Sequence, residues 1–279
     1  MKCYINPSGY VLMISIFLVG CLTTTVAQRQ NTSSDTTHFY TSFDGVKIYY
    51  EMKGTGTPVV LIHGFIVNGE SWKKTILYKD LLKDGYKVIT LDMRGNGQSD
   101  KPHKAEAYLN DAEAKDIMGL TKMLGIRKYS VVGYSRGAII ASRLLILDND
   151  VYKAVIGGMG TGFTNNEWPR RKIFYRALMG DTVPELAAMV KNVQATGLDQ
   201  LALAYMQNGQ PSSSPQELKK ITKPVLVICG SEDEDNGSGS ELATMIPASV
   251  FATVPGNHGA AVGTVEFSKA VIEFLKRRP

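Results

Sequence analysis

The chain is poor in the residues that build metal and disulfide chemistry. It has three cysteines and four histidines among 279 residues. Cys3 and Cys21 fall in or beside an apolar N-terminal segment, leaving Cys229 alone in the rest of the chain. One thiol makes no intrachain disulfide. Its place at the end of the apolar run Val225–Cys229 reads as a small buried hydrophobe. No HExxH helix, no CxxC pair and no phosphate-binding glycine loop occurs, so neither a metal nor an organic cofactor is expected. Charge of one sign is also scarce: 31 basic and 26 acidic residues leave a net charge of +5. Without a long Lys/Arg run, a nucleic-acid partner has no electrostatic footprint. There are no internal repeats.

What is present begins with an apolar run, Val11 to Leu22, behind a basic Lys2. It is shorter than the ~20 residues of a membrane helix and has the length of an export leader. Two processing routes fit. Thr25-Val26-Ala27 offers a small-residue cleavage site, making 1–27 the leader. Leu18-Val19-Gly20-Cys21 resembles a bacterial lipobox, making 1–20 the leader and Cys21 a lipid anchor, the one membrane contact expected. Either route exports the protein, to a periplasmic or secreted destination or to a membrane-anchored one. Residues 28–36, QRQNTSSDT, are polar and read as an unstructured lead-in.

Beyond it the pattern is regular. His38–Phe43 and Val46–Met52 flank Asp44-Gly45, a hairpin signal. Short apolar runs then alternate with helical patterns. The runs are Val59–Ile62, Val88–Leu91, Ser130–Val132, Ala154–Ile156, Val225–Cys229 and Val250–Val254. The helical patterns are Glu70–Leu82, Glu106–Leu124, Ala138–Leu147, Glu241–Ile246 and Val265–Lys276. Such alternation predicts an α/β fold with a mostly parallel sheet. It is interrupted once. Helix candidates Glu167–Met179, Pro184–Thr196 and Asp199–Gln207 follow one another without a strand. This gives a first core segment at 37–160, a helical cap at 161–222 over the ligand-binding carboxyl edge, and a second core segment at 223–279. Ordinary crossover helices are the alternative.

Gly133-Tyr134-Ser135-Arg136-Gly137 fits Gly-x-Ser-x-Gly and lies between a buried strand and a helix, the setting of a nucleophile elbow. Five residues alone occur too often by chance to decide this. A serine nucleophile needs a base, and His258 is the sole histidine downstream of Ser135. The acid should end a strand between them. Asp233 is preferred, then Asp235 and Glu232, all in the tip of KPVLVICGSEDEDNG. The backbone N–H groups of Phe65, after the run ending in His63-Gly64, and of Arg136 are the expected oxyanion donors. His63 itself is expected to brace that loop.

In order and spacing, LIHGF, VITLDMRGNGQSD, VVGYSRG, PVLVICGSEDEDNG and VPGNHGAA resemble the α/β-hydrolase fold family across residues 37–279. The resemblance implies an eight-stranded, mostly parallel sheet flanked by helices, with a small helical cap insertion. It also implies a Ser135, Asp233, His258 triad and a structural role for RGNGQSD beside the site. Many relatives carry two glycines after the position following the nucleophile; here Gly137 precedes Ala138. Relatives that open epoxides or remove halide place an aspartate at the elbow, so Ser135 implies acyl transfer from a small-molecule substrate. Esterase is the default, with C–C bond hydrolase and cofactor-free perhydrolase as alternatives, and a non-catalytic ligand binder as a reading of another class. Phe65, Tyr134 and Trp168 are candidate substrate contacts. Phe163, Phe174, Tyr175, Met179 and Met206 would line a pocket or simply pack. WPRRK, 168–172, would attract an acidic substrate or be a solvated helix start.

Overall fold

The computed structural model describes residues 36–277; the leader, Cys21 and the lead-in up to residue 35 lie outside the described residues. Eight strands make one sheet: β1 (Thr36–Thr41), β2 (Lys47–Lys53), β3 (Pro58–Ile62), β4 (Lys87–Leu91), β5 (Tyr129–Tyr134), β6 (Val151–Gly157), β7 (Val225–Gly230) and β8 (Ser249–Val254), in the order β1-β2-β4-β3-β5-β6-β7-β8. The first two pairings, β1 with β2 and β2 with β4, are antiparallel, and all others are parallel. The β1–β2 turn uses Gly45 at φ 87°, as Asp-Gly predicted.

Helices cover both faces. They are α1 (Glu70–Lys73), α2 (Ile76–Lys83), α3 (Ala112–Met123), α4 (Arg136–Leu147), α5 (Pro169–Leu178), α6 (Ala187–Ala195), α7 (Gln200–Asn208), α8 (Pro215–Leu218), α9 (Gly239–Thr244) and α10 (Val265–Lys276). Strand alternation divides the core. Val60 and Ile62 face one apolar cluster, which α3, α4 and α9 close, while Val59 and Leu61 face another, which α1, α2 and α10 close. Two-sided burial is why the central strands read as unbroken apolar runs. Cys229 is buried at the end of β7; burial pushes its thiol up to about 11.

Two helical patterns are shorter than the sequence suggests. Glu106–Leu124 is a 3-10 turn at Ala105–Tyr108 followed by α3. Between them Asn110 and Asp111 are both left-handed, at φ 57° and 58°. Asn and Asp tolerate that conformation better than other non-glycine residues, and it ends a right-handed helix. Glu70–Leu82 breaks at Thr75, whose Oγ1 accepts from the N–H of Tyr78 and starts α2 afresh.

Strand order reverses between β3 and β5, because β4 lies on one side of β3 and β5 on the other. A crevice opens beyond the carboxyl ends of strands at such a point. Between β6 and β7 come α5, α6 and α7, with a small apolar cluster of their own. Leu178, Val193, Leu203 and Met206 pack there against Phe65 and Ile66.

Candidate active site

The turn after β5 places Ser135 at φ 56°, ψ −122°, a conformation sparsely open to any residue but glycine. Close packing holds it there. A Cβ on Gly133 would lie 2.2 Å from the carbonyl oxygen of Gly137, and one on Gly137 would lie 2.1 Å from that of Ile62. Strand, helix and the end of β3 therefore touch backbone to backbone. Ala138 is fully buried and fits in α4, so the missing second glycine costs no space.

Three side chains converge on the turn. The Nε2 of His258 lies 2.9 Å from Ser135 Oγ, placed to accept its proton. On the other side of the ring, Nδ1 donates to the Asp233 carboxylate at 2.9 and 3.1 Å. Asp233 has only 2% of its side chain exposed, while Asp235 is 55% exposed and sits 4.0 Å from Arg170. Glu232 also faces solvent. Tyr134 has a role that composition does not reveal: its hydroxyl donates to the carbonyl of His258 at 2.6 Å and its ring tilts against the imidazole. Asn236, buried beside His258 and donating to the Gly158 carbonyl at 3.2 Å, was invisible in the sequence.

Phe65 follows β3 and Arg136 begins α4, and both line a cavity with Ser135. Among the described residues no acceptor takes either backbone N–H. Ile66, next to Phe65, has φ 55°, an unusual state for a β-branched residue. His63 holds this loop. Its Nδ1 donates to the Gly64 carbonyl at 2.8 Å and its Nε2 accepts from Met93 N–H at 3.0 Å. Desolvation pushes its pKa down to about 4, so the ring is neutral near pH 7 and both contacts persist. The RGNGQSD segment is tied down by Arg94, which is fully buried and bonded to Asp116 and Asp44.

The Arg136 side chain turns away from Ser135. Both arms meet Glu113 of α3 at 2.5 Å, and Nη2 also donates to the Met206 carbonyl of α7 at 3.2 Å. Glu113 lies 23 residues earlier on another helix, and no local pattern marks it.

Two cavities meet at Ser135 and His258. One, of about 180 Å³, lies beneath α5 and α7 and includes Trp168, Phe174 and Met159. The other, of about 290 Å³, is lined by Val67, Trp72, Tyr134 and Val262. Phe65 borders both, its ring 6.0 Å from that of Phe174. Among the described residues, Asp233, Asp235 and His258 bring ligand atoms within 4.8 Å of one another. The Asp233–His258 hydrogen bond already engages two of those groups. A serine hydroxyl with an oriented base and two free N–H donors can attack a carbonyl and hold the resulting oxyanion.

Comparison with known proteins agrees with this architecture. The model of the α/β-hydrolase fold matches residues 57–187. A bromoperoxidase structure from Bacillus anthracis superposes with a TM-score of 0.72 and 25% identity, covering 87% of this chain and 100% of that one. The esterase RhEst1 from Rhodococcus sp. gives 0.63 and 25%, covering 86% and 98%. Epoxide hydrolase 3 of Siraitia grosvenorii is 35% identical over 119 residues, 43% of this chain and 37% of that protein. The chain spans 35–45% of the length of three curated relatives it matches. It has the α/β-hydrolase fold.

Proposed function

We propose that the protein is a serine hydrolase that cleaves a carboxylic ester or a related acyl compound through an acyl-enzyme. The observation that carries this is the continuous line from Ser135 Oγ through His258 to Asp233 beside two unclaimed N–H groups. In this reading His258 takes the Ser135 proton as Oγ bonds to the substrate carbonyl carbon. The N–H groups of Phe65 and Arg136 hold the oxyanion. The carbonyl re-forms, the C–O bond to the leaving group breaks, and His258 gives that oxygen its proton. Water, deprotonated by His258, then attacks the acyl-enzyme; the acid leaves and Ser135 regains a proton. Asp233 keeps Nδ1–H in place and stabilises the imidazolium.

Ser135 itself argues against epoxide opening, the reaction in the printed name of one relative. A bromoperoxidase among the structural neighbours favours a second reading on the same site. Hydrogen peroxide in place of water would take the acyl group from Ser135 and leave as a peracid. The test is fluorophosphonate labelling and p-nitrophenyl ester hydrolysis, with and without hydrogen peroxide, by the protein and by Ser135→Ala. Labelling and hydrolysis abolished by the substitution support the proposal; an unlabelled, inactive protein would return it to the binders of this fold.

Export belongs to the same proposal. Its support is the Val11–Leu22 run followed by Thr25-Val26-Ala27 and the Leu18–Cys21 sequence. Mass spectrometry of the mature N-terminus separates Gln28, lipidated Cys21 and an uncut Met1.

A further inference from the structure

The cavity beneath α5 and α7 has a polar end that the chemistry at Ser135 does not use. Arg170, Arg171 and Lys172 crowd the first turn of α5, and no acidic residue accompanies them. The positive end of a helix repels cations, so this placement is locally unfavourable. Two of the three have carboxylate partners. Lys172 pairs with Glu167, and Arg170 approaches Asp235 at 4.0 Å while lying over the Phe174 ring. Arg171 has none within ion-pair distance among the described residues. Its one hydrogen bond is from Nη1 to the Gln210 carbonyl at 2.8 Å. Half-buried and lining the cavity, it keeps a charged fork with most of its N–H groups unused. Desolvation lowers its pKa, outweighing the attraction of the more distant Glu167, which is bonded to Lys172.

A second observation points to the same place. Gln207 and Gln210 line this cavity and are only 6% and 5% exposed. Neither side-chain amide has a hydrogen-bond partner among the described residues, although the backbone carbonyls of Gln210 and Met206 are both taken by arginines. Their amide groups are accessible from the cavity rather than sealed in the core, and are free to bind a group that enters it. The other arginine here, Arg136, is neutralised by Glu113. The walls are apolar: Phe65, Ile139, Met159, Trp168 and Phe174. The second cavity at Ser135 contains no arginine, lysine or carboxylate.

We propose that the substrate carries a carboxylate, or an equivalent small anion, on the group that fills the cavity beneath α5 and α7, where Arg171 binds it with the amides of Gln207 and Gln210. The inference rests on the serine-hydrolase reading and names its substrate class. An apolar segment separates the anion from the scissile carbonyl and lies against Phe174 and Met159. The other side of the substrate is uncharged and apolar.

Matched ester pairs test it. Mono-p-nitrophenyl adipate against p-nitrophenyl hexanoate places the charge in the acyl group. 6-Acetoxyhexanoate against hexyl acetate places it in the leaving group. In one pair kcat/KM is expected to favour the anion by about ten- to hundredfold, the worth of a charged hydrogen bond. That ratio should collapse towards one in Arg171→Met and fall part-way in Arg171→Lys and in Gln207→Leu. Lys172→Gln, on the same turn but paired with Glu167 outside, should keep it. Calorimetry of adipate with Ser135→Ala, with and without Arg171→Met, reads the anion site without turnover. Ratios near one in both pairs, or a ratio that survives Arg171→Met, overturn the anion site while hydrolysis and Ser135 labelling preserve the serine reading. Adipate binding that needs Arg171 in a protein that neither labels nor hydrolyses would sustain the anion site and defeat the serine reading.

Discussion

Arg136 and Glu113 form a closed two-armed pair, 2.5 Å at each arm, and neither side chain is more than 3% exposed. The residue that follows Ser135 in the chain is thereby locked, through its side chain, to a different helix.

Breaking this pair should be expensive. Arg136→Met leaves the Glu113 charge buried and unpaired, which costs about 3–5 kcal/mol, whereas replacing both partners by apolar residues recovers most of that. Urea unfolding of Arg136→Met, Glu113→Leu and the double variant checks it. Additive losses in the double variant would contradict the pairing.

Ser135 sits in a backbone state that suits glycine. Ser135→Gly and Ser135→Ala should both abolish fluorophosphonate labelling. The glycine variant should be the more stable by roughly 1 kcal/mol, the strain relieved less the extra freedom of the unfolded chain. Equal melting of the two would mean that the strain at φ 56° is no larger than that entropic cost, and a less stable glycine variant that it is smaller still.

Asp233 and Asp235 should separate cleanly. Asp233→Asn frees the imidazole to adopt the wrong tautomer, and kcat should fall about 10⁴-fold. Asp235→Asn, on an exposed carboxylate that faces Arg170, should leave turnover within a few-fold. Ester kinetics on both variants decide, and a large loss in Asp235→Asn would reassign the acid.

His63 predicts a pH dependence of stability. An unfolded chain protonates this ring near 6.5, and the folded one only near 4. Between those values the unfolded state holds more protons, so stability rises with pH across the window and is fully present above 6.5. As pH falls towards 4, about 3 kcal/mol is lost. His63→Asn does not titrate and should flatten this part of the profile. Subtracting the two profiles cancels groups such as Asp116, which burial pushes up to about 6 despite its bonds to Arg94. Parallel profiles would sink the idea.

Some of this site was readable in the sequence because its parts are ordered along the chain. Ser135 could be placed between a buried strand and a helix, and His258 was the sole histidine after it. The strands could be read because two-sided burial writes unbroken apolar runs. The acid was legible as a cluster, and only folding separates Asp233, buried and bonded to His258, from its exposed neighbours. Glu113, Asn236, Gln207 and Gln210 carried no signal at all. Each matters through a partner or a cavity brought close by folding, and polar residues on helices and loops ordinarily face water. The break at Asn110–Asp111 was missed because helical spacing continues across it, and conformation rather than polarity ends the helix there.

The bond from Arg136 to α7 ends on the carbonyl of Met206, not on its side chain. Every amino acid supplies a carbonyl. Side-chain substitutions in α5 and α7 can therefore redraw the cavity without cutting the tie to the turn at Ser135. Changes at residues such as Arg171 and Gln207 alter the cavity lining while the Ser135 turn keeps its anchor. The attachment point is indifferent to sequence, which makes this part of the protein evolvable.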